Sequence, residues 1–163
     1  MQRKWYFLIA LLAASLLLIS CGSGNKPESQ WQTHSYSIAA EDGGLLRYSV
    51  QIKITECYYV SGESGDLELT VVYSAGNRGE EPIRFDWADL FIEDASKHYY
   101  ESDNGTESRE LSPGQTQDEL IVSYKLPANV AATGGMNKLH WGLYNADGNQ
   151  LYYRIKLNPE LHN

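Results

Sequence analysis

Residues 67–79, Leu67-Glu68-Leu69-Thr70-Val71-Val72-Tyr73-Ser74-Ala75-Gly76-Asn77-Arg78-Gly79, decide the fold class. Leu67, Leu69, Val71 and Tyr73 alternate with Glu68, Thr70 and Val72, and a period of two sends the two sets to opposite sides of an extended chain. The small and turn-forming residues from Ala75 to Gly79 close the strand. Upstream, over residues 45 to about 60, Val50, Ile52 and Ile54 share one face and Gln51, Lys53 and Thr55 the other; residues 61–66 form the turn between the two runs. Downstream, Pro82 starts a run in which Ile83, Phe85 and Trp87 face inward. Leu90-Phe91-Ile92 is a short strand leading to a turn over 93–97, and His98-Tyr99-Tyr100 pairs back. A polar loop is predicted from Glu101 to Glu110.

Leu111-Ser112-Pro113-Gly114-Gln115 predicts a tight turn, because Pro presets one backbone angle and Gly supplies the positive φ of a type II turn. Leu120, Val122, Tyr124 and Leu126 form the next inward face, stopped by Pro127. Leu139, Trp141 and Leu143 lead into a turn at 145–149, and Leu151, Tyr153, Ile155 and Leu157 complete a terminal hairpin. With about seven or eight such strands and little helical period, the sequence predicts an all-β, immunoglobulin-like antiparallel β-sandwich.

The N-terminus has a different composition. Arg3 and Lys4 precede an apolar run from Trp5 to Ile19 broken only by Ser15. That is the layout of a secretory signal, and the run is shorter than the roughly 18–20 apolar residues that span a bilayer as a helix. Leu18-Ile19-Ser20-Cys21 resembles the lipobox of bacterial lipoproteins. The resemblance implies cleavage before Cys21, acylation of Cys21 and a lipid-anchored, extracytoplasmic location at the cell membrane. Residues 1–20 are then the signal peptide, 21–30 a tether rich in small and polar residues, and 31–163 one domain.

The formal net charge is −8, and removing Arg3 and Lys4 with the signal makes the remainder more negative by two charges. Such a surface repels phosphate backbones, so nucleic acid is an unfavoured partner. Once Cys21 is acylated, Cys57 has no cysteine partner within the chain, which excludes a disulfide framework and a multi-cysteine metal site. Cys57 itself reads as a small buried hydrophobe.

Three segments, in order, resemble the bacterial immunoglobulin-like family catalogued as domain of unknown function 4352, which is often found behind lipoprotein signals. They are the strand that ends in Asn77-Arg78-Gly79-Glu80-Glu81-Pro82, the segment Ala88-Asp89-Leu90-Phe91-Ile92-Glu93-Asp94, and Leu111-Ser112-Pro113-Gly114-Gln115 with the strand that follows. The chain departs from the pattern at Ala95-Ser96-Lys97, where a Gly is usual. The resemblance covers roughly residues 47–157 and implies a fold and a surface location, with no activity and no functional residues to carry over.

No pattern for catalysis stands out. His34, His98, His140 and His162 occur singly, without the spacings of zinc sites, and no Gly-x-Ser-x-Gly elbow is present. The expectation is a non-enzymatic module without a cofactor, whose partner is a protein or a glycan of the envelope. Asp103 and Glu107, in the predicted 101–110 loop, are candidate calcium ligands. The adjacent pairs Tyr58-Tyr59, Tyr99-Tyr100 and Tyr152-Tyr153 each put one ring outward if extended. Tyr59, Tyr100 and Tyr152, if they share one sheet, are the candidate aromatic patch for a glycan or protein.

Overall fold

The computed structural model describes residues 30–105, 107–132, 135–144 and 151–162. The signal, Cys21, most of the tether and the turn expected at 145–149 lie outside these residues. β1 (Gln32–Ala39) and β2 (Leu45–Ser61) form a hairpin, followed by β3 (Leu67–Asn77), β4 (Ile83–Phe85), β5 (Leu90–Glu93) and β6 (Tyr99–Gly105). β7 (Arg109–Leu111), β8 (Thr116–Leu126), β9 (His140–Leu143), β10 (Ile155–Lys156) and β11 (Glu160–Leu161) complete the set, with one short helix, α1 (Ala128–Ala132), behind Pro127.

Hydrogen bonding links the strands in the order β1-β2-β3-β8-β6-β5-β9-β10; β11 lies parallel on β2, and β4 pairs with β7. The sheet curls over at β6. Tyr99, Tyr100 and Glu101 pair with β5, and Ser102, Asn104 and Gly105 pair with β8. The two halves face each other: Trp141 of β9 packs edge-on against Tyr73 of β3, ring centroids 4.7 Å apart, and its Nε1 donates to the buried Tyr124 hydroxyl of β8 at 2.6 Å. The protein is all-β and sandwich-like, as its alternation predicts. The predicted inward faces are buried in β3 (Leu67, Leu69, Val71, Tyr73) and β8 (Leu120, Val122, Tyr124, Leu126). Removing such faces from water is the main favourable term in the fold.

A corner tied by Asn77 holds the ends of β3, β7 and β8 together. This side chain is fully buried; its Nδ2 donates to the carbonyls of Glu81 (2.7 Å) and Leu111 (2.9 Å), and its Oδ1 accepts from the Gly79 amide (2.8 Å). Its own amide donates to Gln115 O and its carbonyl accepts from Gly114 N, both at 2.9 Å. Gly114 has φ +82°, and Gln115 N donates to Ser112 O at 3.0 Å, the type II turn predicted from Pro113-Gly114. The segment 77–82 and the turn at 111–115 therefore meet at one residue.

Several expectations change. β1 is a strand whose inward residues His34 and Tyr36 pair with Val50 and Tyr48, while Ile38 and its partner Leu46 are exposed. The loop expected at 101–110 is largely strand, because β6 continues to Gly105 along β8 and β7 begins at Arg109. Glu93 ends β5 instead of starting the turn. Leu151, Tyr153, Ile155 and Leu157 are buried as expected, although only Ile155–Lys156 pairs as a strand.

Candidate functional site

Strict alternation assigns the aromatic pairs to faces, and the structure corrects two of them. Val50, Ile52 and Ile54 face inward, but the ladder to β3 jumps from Ile54↔Tyr73 to Glu56↔Val72, leaving Thr55 as the extra residue of a bulge. One inserted residue swaps the faces beyond it. Cys57 and Tyr59 then pair with the buried Val71 and Leu69 and face the core, while Tyr58 turns outward and stacks on His162 at 4.4 Å. Tyr100 also faces inward, opposite Ile92, and its hydroxyl donates to Asp94 Oδ2 at 3.1 Å. Tyr152 stacks on Tyr36 (5.0 Å), which stacks on Tyr48 (5.1 Å), a row belonging to the β1–β2 hairpin. Among the described residues, no ring contact joins any two of Tyr59, Tyr100 and Tyr152.

Asp103 and Glu107 are not brought together either. Asp103 is the extra residue of a second bulge, in β6, and its Oδ2 lies 3.3 Å from Lys125 Nζ. Glu107 is exposed beyond the end of β6. Among the described residues, no group of three or more His, Cys, Asp or Glu side chains is placed to hold a metal ion.

Two surfaces remain. The first is a cleft of about 790 Å³ along the free edge of β2. β1 covers that edge from Leu45 to Ile52 and β11 covers Tyr58 and Tyr59, so among the described residues no strand lies beside Lys53 to Cys57 on this side. The floor and walls include Ile54, Cys57, Ile155 and Leu157, with Glu56, Lys156 and His162 at the rim. Burial pushes the Cys57 thiol up to about 12, so it stays protonated and unreactive as a nucleophile at neutral pH.

The second surface is the outer face of the β6-β5-β9-β10 half. Opposite the buried Leu90, Ile92, Trp141 and Ile155, register places Phe91, Glu93, Tyr99, His140 and Lys156 outward. The Glu93 carboxylate is 2 % exposed, accepts from Lys97 Nζ (2.8 Å) and the Tyr99 hydroxyl (2.9 Å), and is paired with Arg154. Burial alone would raise its pKa, but the hydrogen bonds from Lys97 and Tyr99 and the two nearby cations hold it below its ordinary value. Its proton acceptors are spent on these donors, which leaves it poorly suited to acid–base work. Beside it, Tyr144 touches Tyr99 (4.7 Å) and Phe91 (4.9 Å). His140 is driven toward its neutral form first by burial and then by Arg154.

The departure at Ala95-Ser96-Lys97 also has a structural account. Lys97 adopts φ +67°, the left-handed conformation that glycine takes most easily, and from there its ammonium reaches Glu93. In the sequence Glu93 falls at the start of the turn predicted over 93–97, and nothing there singles it out. The inward run Leu151, Tyr153, Ile155, Leu157 carried a usable signal, since it requires Arg154 to point outward.

No family model matches the chain, and no curated protein is similar to it. A solved structure of a candidate lipoprotein, ycdA from Bacillus subtilis, is similar at 13% identity and a TM-score of 0.47, over 66% of this chain and 36% of that one. The present chain thus spans about a third of that protein's length.

Proposed function

We propose that the protein is a lipid-anchored, extracytoplasmic interaction module of the bacterial envelope, without enzymatic activity, that holds an extended segment of a protein partner against β2. The lipobox-like Leu18-Ile19-Ser20-Cys21 supports the anchor and the location. The three family-like segments support an immunoglobulin-like reading of the sandwich. The observation that carries the binding role is the five-residue stretch of β2 from Lys53 to Cys57, which no strand among the described residues pairs along one edge and which opens onto the cleft. An edge of this kind presents backbone donors and acceptors that another extended chain satisfies, while alternate side chains of that chain fill apolar pockets. Gln32 and Glu160 close the gap at its two ends, which favours a single free strand over the long edge of a folded sheet.

A random heptapeptide library screened against the full chain in detergent micelles tests this. The expected result is a family of binders with alternating apolar residues that slow amide exchange within residues 53–57. Binders that protect a different segment, or no binders, would overturn the strand-addition role.

A further inference from the structure

We infer that the outer face built on β5, β9 and β10 is a separate binding site for a carboxylated saccharide. This does not rest on the reading of the cleft, although Lys156 stands at the rim of both surfaces. Lys97, Arg154 and Lys156 project from this face of a chain whose formal net charge is −8. The carboxylate among them, Glu93, is buried and neutralised where it lies, and Glu101, opposite Phe91, bounds the face on the β6 side. The Lys97 side chain is 61 % exposed and that of Arg154 41 % exposed; an ammonium carries three donors and a guanidinium five, so each keeps donors beyond the one it gives to Glu93. A guanidinium in this position can take a second carboxylate in a two-bonded fork.

The Phe91–Tyr144–Tyr99 ring cluster meets these cations through the Tyr99 hydroxyl, which donates to the same Glu93 carboxylate. The C–H face of a pyranose is apolar and packs on aromatic rings, while its hydroxyls and carboxylate need the donors at the rim. An acidic peptide would satisfy the cations but has no reason to need the rings. A neutral sugar would use the rings and leave the cations idle. A uronic-acid type of residue uses both.

The test is titration of the full chain in detergent micelles with a galacturonate oligosaccharide, its methyl-esterified neutral counterpart and a polyglutamate peptide. The galacturonate should bind at least tenfold more tightly than either of the others. Arg154→Lys, which keeps a cation on Glu93, should weaken galacturonate binding about tenfold, and Lys156→Gln severalfold, both without lowering the melting temperature appreciably. Arg78→Gln, on the β2–β3 side of the molecule, should bind as the parent does. Equal binding of polyglutamate would reduce the site to plain charge attraction and overturn the proposal. Absence of galacturonate binding, or binding indifferent to Arg154→Lys, would do the same, whatever the peptide screen finds at the cleft.

Discussion

Asn77 and Glu93 are both polar side chains buried almost completely, and both are held by three side-chain interactions. Their partners differ. Asn77 bonds only to backbone groups, at Gly79, Glu81 and Leu111, so it fixes where three segments of chain run. Glu93 is held by the side chains of Lys97, Tyr99 and Arg154, two of which still reach solvent. Backbone partners cannot be redirected without moving the fold, whereas side-chain partners can turn toward a ligand. Equal burial thus marks a staple in one place and an adjustable surface in the other.

The largest effect is predicted at the staple. Asn77→Ala leaves two carbonyls and one amide without their partner and should cost about 3 kcal/mol in denaturant titration. A loss under about 1 kcal/mol would mean that water or a shifted turn replaces the amide, and the contrast between the two regions would fail.

Glu93→Gln should cost less, about 1–2 kcal/mol, because the two cations it releases can hydrate at the surface. Its clearer signature is in pH. Glu93 and Asp94 are both held below their ordinary values of 4.5 and 3.8: burial opposes ionisation, and hydrogen bonds from Lys97 and Tyr99 in one case and from His98 and Ser96 in the other outweigh it. A carboxylate with a lowered native pKa adds stability that is complete above its unfolded value and lost as pH falls through its folded value. The parent should therefore lose stability below about pH 4.5. Glu93→Gln should flatten that fall, and Asn77→Ala should leave its shape unchanged.

The smallest effect is expected at Lys97. Lys97→Gly relieves a left-handed backbone conformation worth about 1 kcal/mol and removes an ion pair whose lysine is largely exposed. The two changes should nearly offset, with a slight net gain in melting temperature. A marked loss would show that the Lys97–Glu93 contact is as fixed as those of Asn77.

Alternation makes most of the core legible in the sequence: the inward faces of β3 and β8 and the Pro113-Gly114 turn follow from local chemistry. The bulge at Thr55 does not, because whether a strand carries an extra residue depends on the strand beside it, and so alternation alone puts Tyr59 on the wrong side. β1 escaped notice because its inward residues, His34 and Tyr36, do not stand out as apolar and much of its hairpin is exposed. The cleft has no local signal at all. It arises where β1 stops at Ile52 and β11 arrives at Tyr58 from about a hundred residues away in sequence. The outer-face cluster lies halfway between, with Arg154 readable from the phase of its neighbours and Glu93 hidden at the boundary between strand β5 and the turn predicted over 93–97.

β6 belongs to both layers, and that makes it a load path. Force applied to the aromatic face at Tyr99 travels along one unbroken backbone to Ser102, whose hydroxyl is fastened to the Trp87 carbonyl. It continues to Gly105, which lies so close under Trp87 that an added Cβ would meet that side chain at 2.5 Å. Tension on the surface is thus delivered as shear into the ladder with β8, where neighbouring hydrogen bonds share it, and the two layers resist being prised apart like the leaves of a hinge.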